Sequence, residues 1–323
     1  MSRLGHVTAG PYAPPAPRRE HVVTSADGSR LHAEEHGPQD APAVVLSHGW
    51  TCSTAFWAVQ VRELSRDHRV IVYDQRGHGR SPAGARHGTT ELADDLEAVL
   101  TATLGPEERA VVAGHSMGGM TIMAAAGRPA FVRHVGAALL ASTGSSRLVA
   151  ESTVLPLRPG PARTRLTQAV LGARAPLGPV TPLGKKVLRY ATMGPGAAPD
   201  RVEACARIVH ACPAKVRYSW SHVLAGLDLD ANLAALDVPT AVLAGTADRL
   251  TPIGHARALA AALPRSLGLT ALTGVGHMTP IEAPEAVTAE IRALVPHLTH
   301  LPHPNPQPQP QPNPRTETKE KTA

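Results

Sequence analysis

A doubly wound, mostly parallel α/β sheet is the fold class this sequence predicts, and three observations carry that reading. Short apolar runs stand at 43–46, 70–73, 110–113, 137–140 and 240–243, with a strand-like run at 267–272; strands buried on both faces of a parallel sheet read this way. Helical patterns alternate with them, as a sheet covered on both sides requires. Rings are scarce, with 3 Trp, 4 Tyr and 2 Phe in 323 residues, so the core must be built from Val, Leu, Ile and Ala.

The elements follow in order. Residues 91–104 place Leu92, Leu96, Val99 and Leu100 on one helix face, carry Glu91, Asp94 and Asp95 where the helix dipole favours anions, and stop at Gly105-Pro106. A helix over 120–126 follows the run 110–113. The stretch 285–295 repeats the amphipathic pattern with Val287, Ile291 and Leu294. Of 31 prolines, 20 fall in 1–20, 147–225 and 301–323. Because proline interrupts helices and ladders, regular structure is expected in 21–146 and 226–300. Residues 1–20 are expected to be a flexible lead-in. From Pro302 to Pro314 every second residue is proline, interleaved with His, Asn and Gln, so 301–323 reads as a disordered, solvated Pro/Gln tail.

Charge is uneven. The segment 147–225 holds 12 Lys and Arg against 3 acids, a net of +9 where the whole chain is +6. The basic character belongs to one segment, and no nucleic-acid motif accompanies it, so nucleic acid is not an expected partner. Cys52, Cys205 and Cys212 show neither a zinc spacing nor a disulfide framework; they read as small buried hydrophobes in a reduced, cytoplasmic protein, with no metal expected. No apolar run approaches the ~18 residues of a membrane span.

Ligands bind doubly wound sheets at the carboxyl ends of the strands, and the chemistry-bearing residues collect there. Gly114-His115-Ser116-Met117-Gly118-Gly119 sits between an apolar strand and a helix: a G-x-S-x-G turn that lifts Ser116 clear of the sheet as a nucleophile. A serine needs a base. Of 17 histidines, His277 in Gly276-His277-Met278 is the best placed, between the run 267–272 and the last helix. Asp248 follows the strand ending at Leu243 and would orient that base, whereas the loop after the preceding strand, Ala141-Ser142-Thr143-Gly144, has no carboxylate. The chain order Ser116, Asp248, His277 completes a triad. After the run 43–46 come Ser47-His48-Gly49-Trp50, so the backbone N–H groups of Trp50 and Met117 are the candidate oxyanion donors. His48 reads as a hydrogen-bonding brace and Trp57 as packing.

These residues, together with Asp74-Gln75-Arg76-Gly77-His78-Gly79-Arg80-Ser81 and Gly245-Thr246-Ala247-Asp248, resemble the serine-nucleophile branch of the α/β-hydrolase superfamily over about residues 22–298. The Asp74 block is similar to enol-lactonases and C–C bond hydrolases, and the Ser116 block to metal-free haloperoxidases that act as esterases and perhydrolases. The resemblance implies an α/β-hydrolase core over 21–146 and 226–300, with 147–225 as a basic, Pro-rich lid inserted after the sixth strand. It makes the Asp74 block scaffold. Met120, Met193 and Met278 are candidate substrate-pocket residues, since flexible thioethers suit an adaptable apolar pocket, and Trp220, near the end of the lid, is a fourth.

The expected function is a cofactor-free carboxylic-ester hydrolase acting through an acyl-enzyme on a small molecule; the basic segment reads first as a solvated outer face, with attraction of an anionic substrate as the alternative. Lactone opening, C–C cleavage, thioester release and perhydrolysis use the same triad and stay open. So does a non-catalytic ligand-binding protein of the same fold.

Overall fold

Eight strands, β1 (Arg19–Thr24), β2 (Arg30–His36), β3 (Ala43–Ser47), β4 (Arg69–Tyr73), β5 (Ala110–His115), β6 (Val135–Ala141), β7 (Thr240–Gly245) and β8 (Ser266–Leu272), make one sheet in a computed structural model that describes residues 10–175 and 177–299. Their order is β1-β2-β4-β3-β5-β6-β7-β8. β2 runs antiparallel to both neighbours, and every other pairing is parallel. Four helices, α1 (Ala58–Leu64), α2 (Thr89–Thr103), α3 (Met117–Ala125) and α4 (Pro129–His134), lie in the first half. Between β6 and β7 come α5 (Leu148–Glu151), α6 (Pro161–Leu171), α7 (Pro182–Thr192), α8 (Pro199–Ala211) and α9 (Ala214–Ala225), and then α10 (Ile253–Ala262), α11 (Thr279–Glu282) and α12 (Pro284–Leu294).

Alternation along each strand divides the core into two layers. Val45, Val112, Ala138, Leu140 and Val242 face a layer completed by Leu92, Leu96 and Val99 of α2 and Ile122 of α3. Val44, Leu46, Val111, Leu139 and Leu243 face the other, completed by Val61 and Leu64 of α1 and Val287, Ile291 and Leu294 of α12. Both faces are dry, which explains why these strands read as continuous apolar runs. Trp57 is fully buried in the second layer, where truncation of such a ring to alanine removes about 3–5 kcal/mol.

Two elements differ from the sequence expectation. β1 and β2 lack the apolar signature, yet six of the seven β2 residues are buried. His32, Glu34, Glu35 and His36 are tolerated there because they pair: Glu34 with His32 at 2.9 Å and His36 at 3.4 Å, Glu35 with His21 at 3.0 Å and with Arg18. Such ionic burial is invisible to hydropathy. Regular structure is also not confined to 21–146 and 226–300, for 147–225 is largely helical. Its prolines begin helices rather than break them: Pro161, Pro182 and Pro199 occupy the first turns of α6, α7 and α8, and Pro213 caps α9. A first-turn residue has no intrahelical use for its N–H, and proline's fixed φ suits the position. The tail 301–323 lies outside the described residues. No helix among those described is long and apolar enough to cross a membrane.

The parallel register brings the strand ends level. Ser47 faces Gly114, His115 faces Ala141, Ala141 faces Leu243, and Gly245 faces Leu272. The loops that leave this edge carry every residue of the site described next.

Candidate active site

Ser116 follows β5 and caps α3 with φ 52° and ψ −116°, a conformation that L-residues rarely adopt. The turn is held from several sides. Ser116 N–H donates to Ala141 O at 2.9 Å, while Ser116 O accepts from Gly119 N–H at 2.9 Å and from Thr143 Oγ1 at 2.8 Å. A Cβ at Gly114 would run into the backbone of Gly118, and one at Gly118 into that of Ser47, so only glycine permits so tight a strand-to-helix turn beside β3.

His277 lies in the loop between β8 and α11. Its Nδ1–H donates to Asp248 Oδ2 at 2.8 Å, which leaves Nε2 unprotonated as the basic nitrogen. Asp248, in the loop after β7, is itself held firmly: Oδ1 accepts from Leu250 N–H at 2.8 Å and Thr251 N–H at 2.9 Å, and Oδ2 from Thr251 Oγ1 at 2.8 Å. Both Asp248 and His277 are buried. Ser116 and His277 line one cavity of about 540 Å³, within the ~300–1,000 Å³ range of small-molecule sites. Among the described contacts no hydrogen bond joins Ser116 Oγ to His277; both residues line the same cavity. Catalytic hydrogen bonds of this kind often close only around a bound substrate.

Trp50 and Met117, the candidate oxyanion donors, both present unengaged backbone amides among the described residues, and Met117 is the first residue of α3, where the amide has no intrahelical acceptor. The loop of Trp50 is braced by His48, whose Nδ1–H donates to Gly49 O at 2.8 Å and whose Nε2 accepts from Gln75 N–H at 3.0 Å. Burial lowers the His48 pKa to about 4 and that of neighbouring His78 to about 3, so both imidazoles are neutral near pH 7. His78 Nε2 accepts from Thr51 N–H at 3.2 Å. The Asp74 block is scaffold in this geometry: Asp74 accepts from Thr54 N–H at 2.7 Å and Arg80 N–H at 2.8 Å, and Arg76 grips Asp95 at 2.6 and 2.7 Å.

The pocket expectations divide. Met120 and Met278 line the cavity. Met193 does not: it is buried in the second core layer, the one that also holds Val202, Cys205 and Ile208 of α8. Nor does Trp220, which is fully buried and donates its indole N–H to Arg76 O at 3.2 Å. Trp220 on α9 and Met193 just after α7 both turn inward, which composition does not reveal. The cavity wall comes instead from α6, α7 and α9, with Val170, Leu183, Val187, Leu188 and Leu224. Arg217 is the one arginine or lysine on that wall among the described residues, and its guanidinium already donates to Ala173 O at 3.0 Å and to Ala175 O.

Sequence reasoning missed Thr251, His115 and Glu282. Thr251 Oγ1 touches Asp248 Oδ2 and lies 3.2 Å from His277 Nδ1; an Asp followed three residues later by Thr is the local signal of such a turn. His115 Nε2–H donates to His277 O at 2.8 Å. Glu282 has no local signal at all. The three thiols are buried and burial raises their pKa values, those of Cys205 and Cys212 to about 12, so none supplies a thiolate. Glu20, His32 and Glu34 bring possible metal-ligand atoms within 4.8 Å of one another. Arg80 already answers those carboxylates, at 2.7 Å from Glu20 and 3.8 Å from Glu34.

The alpha/beta hydrolase fold family matches residues 42–284. A protein of Pseudomonas syringae pv. syringae (strain B728a) named as a carbamate hydrolase, RutD, is 31% identical over 271 residues, 82% of this chain and 97% of that one. A non-heme chloroperoxidase of Streptomyces lividans is 29% identical over 276 residues, 85% of this chain and 99% of that one. Among solved structures, a thermophilic esterase from Thermogutta terrifontis superposes with a TM-score of 0.70 at 24% identity, covering 87% of this chain and 99% of that one, which shows a common fold. With the family match spanning residues 42–284 and a relative 31% identical over 82% of the chain, this protein belongs to the α/β-hydrolase fold family of enzymes.

Proposed function

We propose that this protein is a serine hydrolase that cleaves carboxylic esters carrying an uncharged, apolar arm, through an acyl-enzyme. Ser116 Oγ attacks the acyl carbon as His277 Nε2 takes its proton, and the C–O bond of the ester breaks as the imidazolium returns that proton to the leaving alkoxide. Asp248 holds the imidazole tautomer and stabilises the imidazolium. The N–H groups of Trp50 and Met117 receive the oxyanion; in comparable sites one such donor is worth ~3 kcal/mol. Water then attacks the acyl-enzyme under the same base. The observation that carries this reading is the 2.8 Å His277–Asp248 bond on the wall of a cavity that Ser116 shares.

The helical segment 147–225 acts as the lid over this cavity. Its charge does not make the cavity cationic. Lys185 and Arg207 both pair with Glu203, at 3.0 and 2.7 Å, Arg147 pairs with Glu151 at 2.6 Å, and Arg163 donates to Ala150 O at 2.7 Å. Apart from the uncharged Gln168 and Thr192, the side chains that α6 and α7 present to the cavity are aliphatic, which favours an apolar arm over an anionic one. The test is labelling of Ser116 by a fluorophosphonate and hydrolysis of p-nitrophenyl esters, with Ser116→Ala as the blank. Loss of both in the variant is expected. Equal hydrolysis by Ser116→Ala sinks the mechanism, and an unlabelled Ser116 with no turnover points to a ligand-binding protein instead.

A further inference from the structure

Glu282 is a buried carboxylate that the chemistry above does not use. It ends α11, five residues after His277, and is 7% exposed. Its oxygens accept three backbone N–H groups: Gly194 at 2.7 Å, Gly276 at 3.2 Å and Met278 at 3.2 Å. Two of these are the residues on either side of His277. The third belongs to the segment that continues from α7, the helix whose Leu183, Val187 and Leu188 wall the cavity. The same segment reaches His277 directly, for Thr192 O accepts His277 N–H at 2.8 Å. A Cβ on Gly276 would collide with the backbone of Met193 and Gly194, so the two chains lie against each other with no side chain between them.

We infer that Glu282 is a positioning residue: it clasps the backbone on both sides of the base His277 and ties that loop to the end of the helix that walls the substrate cavity. Burial raises the Glu282 pKa while the three donors oppose that rise. Where the donors hold the anion, its oxygens fix the His277 backbone from one side, and His115 fixes His277 O from the other. The groups facing the His277 loop are then Asp248 and Thr251 from the β7 end, His115 from β5, Glu282 from α11 and the carbonyl of Thr192 from α7. Two consequences follow. Loss of the clasp lets the imidazole drift, and a 1 Å error in placement costs up to ~10²-fold in rate. Loss of the negative charge also makes the imidazolium less stable.

This inference rests on the triad reading, so its test uses a readout that does not require turnover. Glu282→Gln keeps the shape, removes the charge and leaves one acceptor oxygen. The expected results are a kcat for p-nitrophenyl butyrate lowered about tenfold or more with KM little changed, and an imidazole titration of His277, followed by NMR and assigned with His277→Gln, that moves to lower pH. Unchanged kcat together with an unmoved His277 titration overturns the inference. If wild-type protein does not turn over esters while the His277 titration still moves, the ester reading fails and the clasp stands. Should Glu282→Gln not fold, Glu282→Asp decides: it keeps the charge and withdraws it by one methylene, so a lowered kcat with an unmoved titration is expected, and wild-type kcat overturns the clasp.

Discussion

Lengthening the acyl chain of a p-nitrophenyl ester probes the cavity where its walls make the clearest claim. The space that Ser116 lines is walled also by Met120 and Met278, by Val170 of α6 and by Leu183, Val187 and Leu188 of α7. Each methylene moved from water onto such a wall gains about 0.8 kcal/mol, or roughly fourfold in kcat/KM. From acetate to hexanoate, four methylenes give about 3 kcal/mol, or roughly 200-fold. The gain then tapers, because Leu183 and Val187 keep 72% and 61% of their own surface exposed and leave a longer chain wet on one side. The assay is initial rate against concentration for the acetate, butyrate, hexanoate and octanoate esters, each corrected with the Ser116→Ala blank. A matched ester whose acyl chain ends in a carboxylate is the control. Its arm must lose hydration without a free cation to meet it, since Arg217 is engaged by two carbonyls, and it should fall by about 10²-fold or more below the uncharged ester of equal length. A flat or falling kcat/KM from acetate to hexanoate, or a carboxylate ester hydrolysed as fast as its neutral match, refutes the reasoning.

Two further outcomes concern the scaffold under the site. Burial lowers the pKa values of His48 to about 4, of His78 to about 3, and of His115. Between pH 6.5 and about 4 the unfolded chain therefore binds protons that the folded protein does not, and stability falls as pH falls, by about 1.4 kcal/mol per pH unit for each such group not offset by another. Asp74, raised to about 6 by burial, contributes with the opposite sign over part of that window, which leaves a net loss; urea midpoints that stay constant from pH 7 to 4.5 would contradict this. Separately, Asp95→Ala strands the fully buried Arg76 guanidinium, which holds Asp95 with two bonds of 2.6 and 2.7 Å. A loss of about 3–5 kcal/mol in urea unfolding is expected, and a change below 1 kcal/mol would show that Asp27, at 2.9 Å from Arg76, suffices alone.

What the sequence by itself determined was local in origin. A strand dry on both faces must be apolar along its length, so β3 to β7 were legible as runs of Val, Leu, Ile and Ala. The G-x-S-x-G turn was legible because its glycines are demanded by backbone crowding within a few residues of Ser116. Asp248 and His277 were found by their places just beyond strands, and the structure brings them to 2.8 Å. What only the tertiary structure decided depended on partners far along the chain. β2 hides its His and Glu residues through pairs made with β1, with Arg18 and with its own neighbours, so its sequence carries no apolar run to mark a buried strand. The prolines of 147–225 looked like breaks because a helix start and a helix stop use the same residue, and only the flanking geometry tells them apart. Met193 and Trp220 point into the core because of how α8, α9 and the segment after α7 pack. Glu282 takes one of its three donors, Gly194, from 88 residues away, and the two nearer ones, Gly276 and Met278, are backbone amides as well. A hydrogen bond to a backbone amide leaves no mark on the identity of the residue that donates it, and for that reason no pattern in the sequence could have announced the clasp on His277.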